Sequence, residues 1–169
     1  MGVTARWKTT KNGFPSMVKR MQAIAGKAVE VGVFKGEHAW LAPIHEYGLD
    51  IVVTPAMRAY LHGQGLHLKD STTHIHIPER SFLRAGYDAG SKQVMQHAQL
   101  LMADVAAGKL DVEAFFDAVG MELVDIIKDY AIDLKNPANH PFTIDNKGSS
   151  NPLVSTGDMI EQGITWRKA

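Results

Sequence analysis

The chain has 169 residues, 45% hydrophobic and 21% charged, with 18 basic residues balanced by 18 acidic ones. That is room for one domain with a real core, and the even charge supplies no overall field toward nucleic acid or a membrane. The lack of cysteine excludes a disulfide framework, a thiol nucleophile and Cys-ligated zinc.

No apolar run approaches the roughly 20 residues that span a bilayer. Trp7 is followed by Lys8, Thr9, Thr10 and Lys11, so a secretory signal is not expected and a soluble protein is. A basic arm covers 1–13, and Arg6, Lys8, Lys11, Lys19 and Arg20 all precede the first acidic residue. Such a run suits an acidic partner, DNA phosphate or plain solvation. A helix starts near Pro15 and Ser16, carries Met17, Val18, Met21 and Ile24 on one stripe, and stops at Gly26.

The valines of 28–34 alternate onto one face and predict a strand. Residues 39–47 read as a short helix interrupted by Pro43 and closed by Gly48. Ile51 to Val53 is a short strand, and Thr54-Pro55 is a cap signature for a helix to about His62. Thr73, Ile75 and Ile77 alternate with His74 and His76, a strand that Pro78 ends. From Ser81, a candidate cap, a long helix runs to Gly108, with Gly86 and Gly90 softening its start. A second runs from Asp111 to about Asn136 before Pro137, about 39 Å at the usual rise. Its polar face carries Asp111, Glu113, Asp117, Glu122, Asp125, Asp129 and Asp133. Residues 136–152 read as an exposed loop. A helical turn over 159–162 and a last strand over 164–167 close the chain.

The fold expected is a single α+β domain spanning 1–169: a small, mostly antiparallel sheet from strands near 28–34, 50–53, 73–77 and 163–168, packed against long α-helices. No catalytic set is apparent. His74 and His76 share a strand face, a bidentate spacing without a placeable third ligand. His38 and His45 are seven apart, and there is no HExxH, GxSxG or phosphate-loop pattern. The acids of the second long helix spread along it rather than converge on a nucleophile. Arg80 and Arg84 could grip an anion together or form structural pairs with Glu46 or Glu79. No enzyme activity, cofactor or metal is expected.

Three segments carry a resemblance: Ile44-His45-Glu46-Tyr47-Gly48, then Ile77-Pro78-Glu79-Arg80-Ser81-Phe82-Leu83-Arg84, then Pro152 to Ile160 running into Ile164-Thr165-Trp166. In type and order they resemble tailed-bacteriophage neck and tail-completion proteins, the HK97 gene-10-like and Mu-like gpG virion-morphogenesis groups. Those proteins show a "hEfG" turn, an "IPaRPFl" stretch and a terminal "plvdTGrLrnSI" unit. Here Ser81 replaces the second proline and Asp158-Met159 the basic-plus-leucine pair. The resemblance implies a virion structural subunit at the head–tail junction, assembled in the host cytoplasm. It implies a ring of identical subunits around the DNA passage, six to match tail symmetry. Partners would be the tail terminator and a head-completion or connector protein, with DNA passing nearby and no membrane. Neighbouring roles are tail terminator and head–tail adaptor. From other classes, the alternatives are a metal-dependent hydrolase and a DNA-binding module. The motif residues expected to hold the architecture or an interface are His45, Glu46, Gly48, Pro78, Arg80, Phe82, Arg84, Thr156, Gly157 and Trp166.

Overall fold

The computed structural model describes residues 13–169, so the basic arm lies outside the described residues except for Gly13. The elements run α1 (Phe14–Ile24), β1 (Val29–Val33), α2 (His38–Tyr47), β2 (Leu49–Val52), α3 (Pro55–Gly63), β3 (His74–Ile77), α4 (Phe82–Ala107), α5 (Val112–Asp133) and α6 (Pro141–Lys147). A π-helical turn (Met159–Gly163) and β4 (Ile164–Lys168) finish the chain. This is one α+β domain built on the α4–α5 hairpin. Among the described residues no helix is long and apolar enough to cross a membrane.

All four expected strands are antiparallel, but they form two separate two-stranded sheets rather than one. In the first, Val29 faces Lys168 and Val33 faces Ile164, so the start and end of the chain share a ladder. In the second, Leu49 faces Ile77 and Val52 faces His74. Only Gly48 separates the ten-residue α2 from β2, and β2 pairs with β3 instead of β1.

Gly108, with φ +77°, ends α4, and Asp111 opens α5 by accepting the Ala114 amide at 2.9 Å. Gly86 and Gly90 set the spacing of the two helices. A Cβ on Gly86 would lie 3.2 Å from Ile127 Cα, and one on Gly90 2.3 Å from Ile126 Cγ2. These glycines are there for close approach, not to soften a helix start. Phe82, Ile127, Ile160 and Ile164 fill one half of the core, and Val105, Phe115 and Phe116 the other. Val119 and Trp166 pack against both halves.

Two local expectations resolve differently. Arg20 does not project with the basic run. Its Nε and Nη2 donate to Val105 O and Ala106 O at 2.7 and 2.6 Å, placing a cation at the α4 C-terminus. The loop 136–152 contains α6, with His140 Nδ1 accepting the Phe142 amide, Pro141 in the first turn and left-handed Gly148 at the end. Thr54 does cap α3, accepting the Met57 amide at 3.1 Å. Thr54→Ala is therefore expected to lower stability by about 1 kcal/mol in urea unfolding.

Candidate functional site

The first two motif segments meet at Glu46, whose side chain is 3% exposed at the end of α2. Its carboxylate caps the start of α4 from another helix. Oε2 accepts the Leu83 amide at 2.9 Å, and Oε1 accepts the Arg84 amide at 3.0 Å, Arg84 Nε at 2.9 Å and the Ser81 hydroxyl at 2.8 Å. Ser81 therefore does not cap α4 with its own side chain; its hydroxyl serves Glu46 instead. The acceptor satisfies helix N–H groups that lack intrahelical partners and places negative charge at the positive end of the helix dipole.

Arg84 also donates to Glu79 at 2.7 Å and to the Glu46 carbonyl at 3.0 Å, and its guanidinium lies 4.6 Å from the Tyr47 ring centre. The Glu46 hydrogen bond raises its pKa above the ordinary arginine value. Gly48 completes the joint with φ +74°. A Cβ there would meet Ile77 O at 2.8 Å and Glu79 N at 2.9 Å, so no other residue lets the chain pass beside Pro78.

Arg80 turns away from Arg84, and the two do not form a common grip. Its side chain, 5% exposed, donates from Nε to Pro137 O at 2.8 Å, and from Nη2 to Ala138 O at 3.2 Å and Asn139 Oδ1 at 3.1 Å. It thus pins the stretch after α5 to the start of α4. Neither Glu46 nor Glu79 pairs with it. Lys147 is held in the same way, donating to Asn151 O at 2.8 Å and Pro152 O at 3.2 Å. Burial lowers the pKa of both groups, and the charge of Arg80 lowers that of Lys147 further.

These two cations line a cleft of about 730 Å³ between β3, α2, α6 and the third motif segment. Thr156 and Gly157 stand at its wall, where Gly157, with φ +96°, starts the π-helical turn and accepts the Ile160 and Glu161 amides. Thr156 donates to Asp158 at 2.7 Å. His38 and His45 also line the cleft, and each has a buried Nδ1 without a hydrogen-bond partner among the described residues.

His45 is lowered from the ordinary histidine value of 6.5 to about 4, first by burial, then by the charges of Arg80 and Lys147. The folded chain keeps it neutral, whereas the unfolded chain takes up a proton below about pH 6.5. Its contribution to stability is complete above that pH and is lost as pH falls toward 4. Urea titrations across this range are expected to show an acid-side loss that is smaller in His45→Leu. Identical pH slopes in the two proteins would refute the assignment.

The remaining candidates have packing roles. Phe82 is fully buried at the α4 start, and Trp166 lies flat on α5 over Gly120. His74 and His76 do share the exposed face of β3, but His76 pairs with Asp50 at 2.8 Å and His74 lies 3.0 Å from the Thr73 hydroxyl. Among the described residues no group of three or more His, Asp or Glu could hold a metal ion. On α5, Glu122 meets His97 at 2.6 Å and Glu113 meets Lys168, while Asp117, Asp125, Asp129 and Asp133 stay exposed. Sequence reasoning missed Lys147, Asn139 and Asn151. Asn151 is a hub: its side chain accepts the Leu153 and Val154 amides and donates to Ile132 O. The Asn151-Pro152 dipeptide, a turn former, was the available signal.

No protein-family model matches the chain, and comparison with curated proteins and with solved structures gives no match either.

Proposed function

We propose that the protein is a non-enzymatic structural subunit of a phage virion, a tail-completion or neck protein that forms a ring at the head–tail junction and joins tail to head. The observation that carries this reading is the joint between the first two motif segments. Glu46 and Gly48 of one lock onto Ile77, Ser81, Leu83 and Arg84 of the other through hydrogen bonds and close packing. Residues that mark the resemblance thus have mechanical work in common. Trp40 and Tyr60, 65% and 66% exposed, are the kind of side chain that subunit interfaces use. The partners are other copies of the chain, six in the ring, with the tail terminator on one side and a head-completion or connector protein on the other. The exposed acids of α5 face the lumen or rim, where negative charge keeps passing DNA from sticking.

Electron microscopy of the purified oligomer and of virions tests the proposal. A sixfold ring at the junction is expected. A strictly monomeric protein absent from particles overturns it, and Asp117, Asp125 and Asp129 buried against a basic neighbour overturn the lumen assignment.

A further inference from the structure

The cleft holds two cations that no carboxylate neutralises. Arg80 is satisfied only by two backbone carbonyls and an amide oxygen, and its Nη1 has no hydrogen bond among the described residues. Lys147 donates only to two backbone carbonyls. No Asp or Glu lines the cleft; Asp50 reaches it through His76, and Asp158 through Thr156, and neither bonds Arg80 or Lys147. Carbonyl dipoles solvate these charges without cancelling them, and low-dielectric walls concentrate the resulting positive potential. His38 and His45, whose buried Nδ1 atoms have no partner among the described residues, line the same space. The rest of the wall is largely apolar, with Leu41, Leu66, Ile75, Phe142, Leu153 and Met159.

We propose that this cleft docks an acidic peptide segment of a partner protein, with one carboxylate against Arg80 and Lys147 and apolar neighbours against Leu41, Ile75, Phe142 and Met159. The charge selects an anion, and a carboxylate can accept a charge-assisted hydrogen bond from the open Arg80 Nη1 and another from the remaining Lys147 N–H. The apolar wall selects a ligand that carries hydrophobic groups beside its charge, which a bare anion lacks. A volume of about 730 Å³ takes a few side chains rather than a whole helix. The inference does not depend on the virion reading, because it concerns the chemistry of the cleft for any partner. A particle without the protein would sink that reading and leave this one standing.

The test uses the full chain and a pool of capped hexapeptides with a central Glu, flanked by Leu, Ile, Phe or Met, against the same pool with Gln. Calorimetric titration is expected to show saturable binding of the Glu pool and binding of the Gln pool at least about tenfold weaker. Arg80 also braces the fold, so the discriminating variant is Lys147→Gln, checked by thermal melting to remain folded. It should weaken the Glu pool about fivefold or more and leave the Gln pool unchanged. His45 is held low first by burial and then by the charges of Arg80 and Lys147; a carboxylate in the cleft offsets those charges, so its ring titration, followed by NMR, should lie higher with the Glu pool bound than with the Gln pool bound. His38, His76 and His140 line the same space and are followed alongside. Failure of the Glu pool to saturate, or equal affinity for both pools, overturns the proposal. Inorganic phosphate binding as tightly as the Glu pool reduces the cleft to a bare anion site and overturns the peptide. Octanoate binding more tightly than the pool assigns it to a small organic acid, with the same consequence.

Discussion

Glu46→Ala is expected to destabilise the protein by about 3 kcal/mol or more. The side chain is almost fully buried, and its two oxygens accept four hydrogen bonds, two of them from the first-turn amides of α4. Removing it strands the Leu83 and Arg84 amides and the Ser81 hydroxyl beside the core residue Phe82. Each buried group left without a partner costs roughly 1–3 kcal/mol, whereas Arg84, half-exposed, can turn to water and keeps Glu79. Glu46→Gln is informative because it keeps the shape. Its amide nitrogen must face either the Leu83 N–H or the three donors on Oε1, so donor meets donor and stability falls by a smaller but clear amount. The midpoint of thermal unfolding should drop by roughly 6–12 °C in the alanine variant. Amide exchange at Leu83 and Arg84 should quicken more than exchange elsewhere in α4. Unchanged protection of those two amides would show that Glu46 is not the cap.

Gly120→Val carries the second large effect. Gly120 is buried in the middle of α5, and a Cβ there would stand 2.3 Å from Trp166 Cδ2 and 2.6 Å from Cγ. An indole ring lying flat on a helix cannot give way by rotating a flexible end; it must leave. Trp166 packs against both halves of the core, so its displacement loosens β4 and its ladder with β1. A loss of about 3 kcal/mol is expected, at the upper end of overpacking effects. Gly120→Ala should also destabilise, because the clash outweighs the gain of about 1 kcal/mol in helix propensity. The check is a double substitution. Combined with Trp166→Leu, Gly120→Ala should cost less than it does alone, and strict additivity of the two losses would reject the contact.

Secondary structure was largely legible because it rests on local rules. The valine alternation of β1, the Thr54-Pro55 cap of α3 and the stripes of α4 and α5 all appear within a few residues of where the sequence places them. The helix α6 was hidden because a seven-residue helix has too few turns to show periodicity. Its only marks were Pro141 in the first turn and Gly148 past the end, and both also suit a loop. Gly120 left a different trace. A glycine in the middle of a long helix costs about 1 kcal/mol unless something needs the space, and no local pattern names Trp166 as that neighbour.

The candidate site divides along the same line. The motif segments singled out Glu46, Gly48, Arg80 and Arg84, and Glu46 does bind Arg84. Which arginine would pair with Glu46, and what the other would do, depends on contacts 35 to 59 residues apart along the chain. Arg84 follows α4 onto the carboxylate, whereas Arg80, one helical turn earlier and before the helix begins, points to the stretch after α5. Capping, turn chemistry and hydrophobic period act over a few residues, and they were enough for the α+β class and for every element except α6. The tertiary structure splits the four strands into two sheets and puts Gly86, Gly90 and Gly120 to close packing. It also gathered Arg80, Lys147 and His45 around one cleft without a counter-charge. Burial and charge pairing belong to the space between elements, and that space exists only once the chain has folded.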